Sequence, residues 1–403
     1  MWSKTWHRAP RRALTPEIRW VLLRAFASPE VRFGEAIDGA QASAVAGALG
    51  LVERIGARVP PSTLAADLGR EAARELALSR LQVMAKVGGL CDLVPELATA
   101  ASNASISIVF LKFAALHAGG YVAEGSRAAG DIDVLVRERD VERAVDILAG
   151  HGFIAAGTTY AEHHLPPFLD RQGRVVELHT RLPGLREPGS RRFAGFEALE
   201  RGGGLEPSSG LCDGCYRLRP GLLAAHAIAH GLAHHGGADA YPVSRALADV
   251  IDVLPRDRRT IGLESAQWIA EDVPAFELEA VVSLCNALEQ GDLDGLVGRS
   301  EPRTECALLH HVLASSLDPD YRRSLAIGYV FDWLSDEPRW WRLLKTAQRI
   351  ALPTRQQLAA RLGLANARSV DLRLRWAHTA GLVRRLPELA RAARHLMRRQ
   401  RSR

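Results

Sequence analysis

The spacing of apolar residues changes near residue 104. Before that point, apolar side chains recur every three or four residues, for example at Ile18, Leu22 and Phe26, which predicts amphipathic helices. After it come three short runs rich in β-branched residues, SISIVFLK, DIDVLV and RVVELHT, and such runs predict buried strands. Residues 139–150, between two of these runs, return to helical spacing. From about residue 218 helical spacing dominates to the end of the chain.

This order of elements predicts an α+β fold, with a small mixed β-sheet core flanked by extensive N- and C-terminal helical regions. We assign an N-terminal helical region to residues 1–103, an α/β core to 104–183 and a C-terminal helical region to 218–403. Residues 184–217 are rich in Gly, Pro, Ser and Arg, a composition that predicts a loop.

Composition narrows the class of protein. The 403 residues are 47% hydrophobic and 24% charged, which is ordinary for a globular protein of two or three domains. No apolar run approaches the roughly 20 residues of a membrane span, and the basic N-terminus lacks the apolar segment of a secretory signal. Five scattered cysteines predict a reducing, cytoplasmic setting. The net charge of +6 would help to attract a nucleotide or another polyanion.

Candidate chemistry begins at Asp131 and Asp133, two carboxylates inside the apolar run DIDVLV. On a strand, residues i and i+2 project from the same face. Two like charges held close together beside a buried sheet are costly unless a cation neutralises them. Mg²⁺ is the usual cation, and it is typical of phosphate chemistry.

A third carboxylate, Glu177, lies in the run RVVELHT. If this strand pairs beside DIDVLV, Glu177 faces the two aspartates and completes a site for one or two Mg²⁺ ions. Glu177 is also a candidate to deprotonate an acceptor hydroxyl. His179 projects from the same face two residues later, and we expect it to contribute to a nucleotide-binding site.

Three segments, in order, carry a resemblance to a known family: VFLKFAALHAGGY, RAAGDIDVLV and VVELHTRL. They resemble the motifs of the bacterial uncharacterised nucleotidyltransferases of the polymerase-β-like superfamily. LLAAHAIAHGLAHH and ALADVIDVL resemble the family's helix-borne histidines and aspartate. The resemblance covers about residues 15–390 and is most specific at 109–180.

The resemblance implies a Mg²⁺-dependent enzyme that moves a nucleoside monophosphate from ATP or another nucleoside triphosphate to an acceptor and releases pyrophosphate. The acceptor is open: a small molecule, a peptide, a protein or an RNA. By this resemblance Asp131 and Asp133 are metal ligands and Glu177 is the third acidic residue. Lys112 and Arg127 occupy the basic positions near the triphosphate, where a point charge and a forked guanidinium suit phosphate oxygens.

One position departs from the family pattern. Phe113 follows Lys112 where the resemblance implies a glycine, whose missing side chain lets the backbone approach the triphosphate. This departure supports a second hypothesis, in which the chain is a non-catalytic binding or regulatory protein with the same fold.

Other residues suggest further sites. Cys212 and Cys215, followed by His226 and His230, have a spacing that resembles a zinc finger, and a zinc-stabilised nucleic-acid-binding module is the third hypothesis. His226, His230 and His234 recur every four residues and share one helical face, which suits either packing or contact with substrate.

The pairs His163–His164 and Trp340–Trp341 are weaker candidates, for the site and for nucleic-acid stacking respectively. The basic C-terminal stretch is more typical of a solvated surface than of a nucleic-acid site.

Overall fold

The structure is a computed structural model. It describes residues 9–10, 13–31, 33–156, 165–190, 192–208, 210–234, 242–254, 267–269, 275–297 and 304–322. His163–His164, Trp340–Trp341 and the predicted helical region beyond residue 322 lie outside these ranges.

The N-terminal region is helical, as the apolar spacing predicts. Its helices are α1 (Pro16–Phe26), α2 (Gly39–Ala48), α3 (Val52–Arg58), α4 (Pro61–Leu68) and α5 (Arg70–Asn103). The side chain of Thr15 accepts a hydrogen bond from the backbone N–H of Ile18 and so caps α1. Asp38 caps α2 in the same way by accepting from the N–H of Gln41. The buried residues of α1 include Trp20 and Phe26, so this helix anchors the N-terminal part of the core.

The α/β region and the residues that follow it form the sheets. Their elements are β1 (Ile108–Phe110), α6 (Lys112–Ala118), β2 (Ile132–Val136), α7 (Val141–Gly150), β3 (Ile154–Ala155), β4 (Phe168–Leu169), β5 (Val175–His179), β6 (Arg181–Arg186), β7 (Phe193–Gly195), α8 (Phe196–Arg201), β8 (Leu205–Pro207) and β9 (Cys215–Leu218). A mixed seven-stranded sheet has the order β3-β4-β5-β2-β1-β9-β8, and β6 and β7 form a separate two-stranded sheet. The α+β fold is therefore confirmed.

The three strands predicted from sequence form the centre of the large sheet. β2 pairs antiparallel with β1 and parallel with β5. Every residue of β1 and β2 is buried, as continuous apolar runs predict. The long helix α5 contacts α6, α7 and β9, so the central strands lie within a continuous core.

The loop predicted for residues 184–217 needs a correction. The structure places β7, α8, β8 and β9 there, and β6 extends into it. These strands contain between three and six residues, too few for a clear alternation of apolar and polar positions. Because β9 pairs in parallel with β1, this stretch of chain contributes two strands to the main sheet.

The C-terminal region is again helical over its described residues. It contains α9 (Pro220–Ala227), a π-helix (Ile228–His234), α10 (Val243–Val253), α11 (Ala275–Gln290), α12 (Leu293–Val297) and α13 (Thr304–Leu317). The π-helix passes close to β6 at Gly184, where φ is +90°. A Cβ at Gly184 would lie 2.9 Å from the Cβ of Ala229, so a glycine is required for this close approach.

Candidate active site

Pairing of β2 with β5 brings the predicted acidic residues together. The parallel register aligns Asp133 with Glu177 and Leu135 with His179. Aligned residues on neighbouring strands project from the same face, and His179 joins them because it lies two residues after Glu177. Asp133 is 2% exposed and His179 is 3% exposed, whereas 25% of the Glu177 side chain is exposed. The three side chains therefore form a site that opens to solvent on the side of Glu177.

The polar atoms of these three residues converge. The Nε2 atom of His179 lies 2.9 Å from Oδ1 of Asp133 and 3.7 Å from Oε2 of Glu177. One ligand atom from each residue lies within 4.8 Å of the other two. Two carboxylate oxygens and an imidazole nitrogen are suitable donors for a divalent cation. Within the part of the chain that the structure describes, this is the group that could hold a metal ion.

Asp131 lies beside this group and is not one of its three members. It directly precedes β2, which begins at Ile132. Burial, together with the negative charge of Asp133, raises the pKa of Asp131 to about 7. The sequence predicted that Asp131, Asp133 and Glu177 would converge. In the structure the convergent residues are Asp133, Glu177 and His179, and Asp131 is close enough for the charge of Asp133 to affect its pKa.

Lys112 is brought to the same site by the turn between β1 and α6. Its Nζ donates a hydrogen bond of 2.7 Å to Oδ1 of Asp133. Burial alone would lower the pKa of Lys112, but the charges of Asp133 and Asp131 outweigh it and raise the pKa. Burial likewise favours a higher pKa for Asp133, but Lys112 and His179 hold that pKa below its usual range. Lys112 is therefore a cation paired with a buried carboxylate.

The backbone strain at this turn falls on Lys112 rather than on the following residue. Lys112 has a φ of +46°, which is unfavourable for a residue with a side chain. Phe113 is 4% exposed, and its ring stacks 5.8 Å from that of His117. The side chain at the expected glycine position is therefore buried in the core.

Arg127 forms an ion pair with Asp249, which lies in the segment ALADVIDVL. Its Nε donates to Oδ1 of Asp249 at 2.6 Å, and its Nη2 donates to Oδ2 at 2.8 Å. The guanidinium carbon lies 5.9 Å from the centre of the Phe113 ring. The charge of Arg127 also opposes the rise in the pKa of Asp131. Arg127 thus connects the carboxylate site to helix α10.

A cavity of about 20 Å³ lies on the helical side of Lys112 and has room for about one water molecule. Its polar lining residues are Lys112, His226, His230 and Asp249. The rings of His226 and His230 have centroids 5.4 Å apart, and His230 lies on the π-helix, a conformation that is frequent at functional sites. His226 and His230 therefore lie beside Lys112 on the wall of this cavity.

The cysteines lie elsewhere. The thiol of Cys215 donates to the backbone carbonyl of Ala98, and burial raises its pKa to about 11. Cys212 and Cys215 do not form a metal-binding group with His226 and His230, all four of which are among the described residues. None of the five cysteines, all of which are described, forms a disulfide. The zinc-finger spacing is therefore not matched by a zinc-finger geometry.

A mixed sheet with clustered carboxylates on neighbouring strands, beside a lysine and an arginine, is typical of enzymes that transfer phosphate-bearing groups. The family model described as "Uncharacterised nucleotidyltransferase" matches residues 35–268. This match covers more than half of the chain, and the protein belongs to that family. Comparison with curated proteins and with solved structures gave no match. Among the described residues, no helix has the length and apolar character needed to cross a bilayer.

Proposed function

We propose that this protein is a divalent-metal-dependent nucleotidyltransferase that moves a nucleoside monophosphate from ATP or another nucleoside triphosphate to an acceptor. The observation that carries the proposal is the convergence of Asp133, Glu177 and His179 in a member of a nucleotidyltransferase family. We propose further that the family relationship extends to the polymerase-β-like superfamily. A bacterial origin and a cytoplasmic location remain predictions from sequence.

Charge at the site supports a bound cation. Asp131, Asp133 and Glu177 bring three carboxylates together, and Lys112 pairs directly with one of them. Burial, together with the neighbouring charge of Asp133, raises the pKa of Asp131, which reflects the cost of a second buried charge there. A divalent ion would offset this cost, because the single charge of Lys112 does not balance three carboxylates.

The donor set fits such an ion. Asp133 and Glu177 would each provide a carboxylate oxygen and His179 its Nε2 atom, with Asp131 available beside them. We expect Mg²⁺, and Mn²⁺ is the natural comparison because one donor is an imidazole nitrogen. The ion would neutralise charge on the phosphate oxygens and polarise the phosphorus that is attacked.

The remaining roles follow from position and charge. Lys112 and Arg127 would bind phosphate oxygens and hold the triphosphate with its α-phosphorus next to the acceptor. A new bond forms between the acceptor oxygen and the α-phosphorus, while the bond from this phosphorus to the β-phosphate oxygen breaks and pyrophosphate leaves. Glu177, the most exposed of the three convergent residues, would accept the proton that the acceptor hydroxyl loses.

A non-catalytic protein of the same fold is the second candidate. The observation in its favour is the pairing of both basic residues: Lys112 with Asp133 and Arg127 with Asp249. If the protein is non-catalytic, these carboxylates keep the two basic residues from phosphate oxygens. Such a protein would retain the acidic cluster without binding a triphosphate.

One experiment separates the two candidates. The purified protein is incubated with α-labelled nucleoside triphosphates, Mg²⁺ or Mn²⁺ and a cell extract that supplies acceptors, and both labelled products and pyrophosphate are measured. We expect metal-dependent label transfer with equimolar pyrophosphate, and its loss in Asp133→Asn. Absence of transfer, together with no triphosphate binding at millimolar concentration by calorimetry, would contradict the proposal and favour the non-catalytic candidate.

A further inference from the structure

Helix α10 carries two aspartates, Asp249 and Asp252, that each pair with an arginine from a different part of the molecule. Asp249 pairs with Arg127, next to the carboxylate site. Asp252 pairs with Arg54 of the N-terminal helices. The helix therefore provides one ion pair at the site and, three residues later, a second buried ion pair away from it.

The pair between Arg127 and Asp249 fixes the guanidinium in orientation as well as in position. Both carboxylate oxygens accept from the guanidinium, at 2.6 and 2.8 Å, which is the bidentate geometry that sets the plane of the group. The Nη1 atom also donates to the backbone carbonyl of Ala128 at 3.2 Å. The side chains are 10% and 7% exposed, so water contributes little to solvating either charge.

A second carboxylate lies close to Arg127 along the chain. Asp131 follows Arg127 by four residues, and the charge of Arg127 opposes the rise in the pKa of Asp131 that burial and Asp133 cause. A buried guanidinium that loses its partner is strongly disfavoured, so pairing with another carboxylate within reach is favoured. Without Asp249, Asp131 would be such an acceptor. An ion pair there would neutralise Asp131 and draw Arg127 away from its present plane.

We propose, on the basis of the function proposed above, that Asp249 is a positioning residue of the nucleotide site. It holds Arg127 in the orientation that receives phosphate oxygens and prevents an ion pair between Arg127 and Asp131. Asp131 thereby stays available to the divalent ion. Asp249 and Lys112 line the same small cavity, which places Asp249 beside the carboxylate site.

A consequence is that helix α10 belongs to the nucleotide site although it contributes no residue that touches the nucleotide. The α/β core alone holds Asp133, Glu177, His179 and Lys112, but the orientation of Arg127 depends on a helix of the C-terminal region. The C-terminal helices are then required for triphosphate binding as well as for stability.

The test uses Asp249→Asn with Asp252→Asn as the matched control. Each substitution removes the charge from an aspartate of α10 that pairs with a buried arginine, so a general loss of stability would affect both variants alike. Dissociation constants are measured by calorimetry for ATP and for AMP in the presence of Mg²⁺, and for Mn²⁺ alone. Thermal unfolding shows whether each variant is folded at the temperature of measurement.

We expect Asp249→Asn to weaken ATP binding about tenfold or more, as loss of a charge-assisted contact implies. AMP, which lacks the outer phosphates, should be affected less. Mn²⁺ binding should also weaken, because Arg127 would compete for Asp131. Asp249→Glu should bind ATP and Mn²⁺ more tightly than Asp249→Asn, and Asp252→Asn should leave the affinities for ATP and Mn²⁺ unchanged. If Asp249→Asn unfolds, Asp249→Glu is compared with Asp252→Asn instead, and we expect a smaller loss of ATP affinity in Asp249→Glu.

A double substitution tests whether Asp249 acts through Arg127. In an Arg127→Gln background, Asp249→Asn should cause no further loss of ATP affinity. Unchanged or tighter ATP binding in Asp249→Asn, or an equal loss in Asp252→Asn, would overturn the proposal. If the unaltered protein binds no triphosphate, the proposed function fails by itself, while the Mn²⁺ measurement still shows whether Asp249 controls access to Asp131.

Discussion

The two arginine–aspartate pairs of helix α10 are both buried, but they differ in geometry and in surroundings. The Nη1 atom of Arg54 donates to both oxygens of Asp252, at 2.8 and 2.6 Å, whereas Arg127 uses two nitrogens, Nε and Nη2, one for each oxygen of Asp249. The arginine side chains are 8% and 10% exposed. Each guanidinium also lies near a phenylalanine ring, Arg54 at 5.4 Å from Phe26 and Arg127 at 5.9 Å from Phe113.

The surroundings decide what each pair does. The Nε atom of Arg54 donates to the backbone carbonyl of Ala25 at 2.7 Å, so this pair joins α10 to the end of α1. Burial raises the pKa of Asp252, and Arg54 opposes that rise. Arg127 instead lies next to a cluster of three carboxylates, of which Asp133 pairs with Lys112. Burial is therefore insufficient to identify a functional ion pair, and both the orientation of the guanidinium and the charges nearby have to be considered.

The largest effect should come from Asp133→Asn. This substitution removes a carboxylate from the metal-binding group, which lies near the Arg127–Asp249 pair and not near the Arg54–Asp252 pair. Turnover should fall about 10³-fold or more, because metal-based charge stabilisation is worth several kcal/mol. Pyrophosphate release under saturating triphosphate measures it. Asp252→Asn is the control and should retain turnover per folded molecule. Equal losses of turnover in the two variants would show that Asp133 has no special role in catalysis.

Arg54→Met should have the largest effect on stability. It leaves Asp252 buried without its cation, which costs about 3–5 kcal/mol of unfolding free energy. Urea denaturation measures the loss. At a temperature where the variant is folded, its affinity for ATP should equal that of the unaltered protein. A loss of ATP affinity comparable to that of Arg127→Met would show that both pairs serve the site.

Gly184→Ala tests how the π-helix beside the site is held. A Cβ there would lie within 3.2 Å of the backbone nitrogen of His230, in addition to the strain of a positive φ, and the two together should cost about 3 kcal/mol. Gly189→Ala is a matched control, since Gly189 has a φ of +72° and no atom within 4 Å of the added Cβ. Unfolding free energies that fall equally in both variants would mean that the contact with the π-helix is unimportant.

The smallest effect concerns His311 on α13, which packs against α10. Burial lowers the pKa of His311 to about 4, so the folded protein holds it neutral. The unfolded chain gains its proton near pH 6.5, and stability is therefore lost as the pH falls below that value. Between pH 7.5 and 5.5 the unaltered protein should lose about 1 kcal/mol more than His311→Gln. Parallel pH profiles of unfolding free energy would contradict this assignment.

The sequence was sufficient to predict the central strands and the acidic residues on them. β1, β2 and β5 are apolar runs long enough to be recognised by composition, and the i, i+2 spacing of Glu177 and His179 placed both side chains on one face. Asp131 was harder to place, because it lies just outside the strand. The shortest strands, β3 and β4, contain two residues each and carry no periodic signal.

The resemblance pointed to an aspartate in the segment ALADVIDVL, but the pairing of Asp249 with Arg127 could not have been predicted from local pattern. It lies on an apolar helix, where its burial is a signal that it has a partner, but the sequence does not identify which cation that is. Arg127 and Asp249 are separated by 122 residues, and their pairing depends on how the C-terminal helices pack on the sheet. The cavity lined by Lys112, His226 and His230 could not be predicted either, because it also depends on how the C-terminal helices pack on the sheet.

The number of residues between Arg127 and Asp249 also determines how long after Arg127 the ribosome adds Asp249. At about 5–20 residues per second, the ribosome adds the intervening residues in roughly 6 to 24 seconds. The strands that carry Asp133 and Glu177 are synthesised in the first half of that interval, and α10 is synthesised at its end. Arg127 therefore has no Asp249 to pair with until α10 has been made, and the site reaches its final arrangement only once α10 has docked.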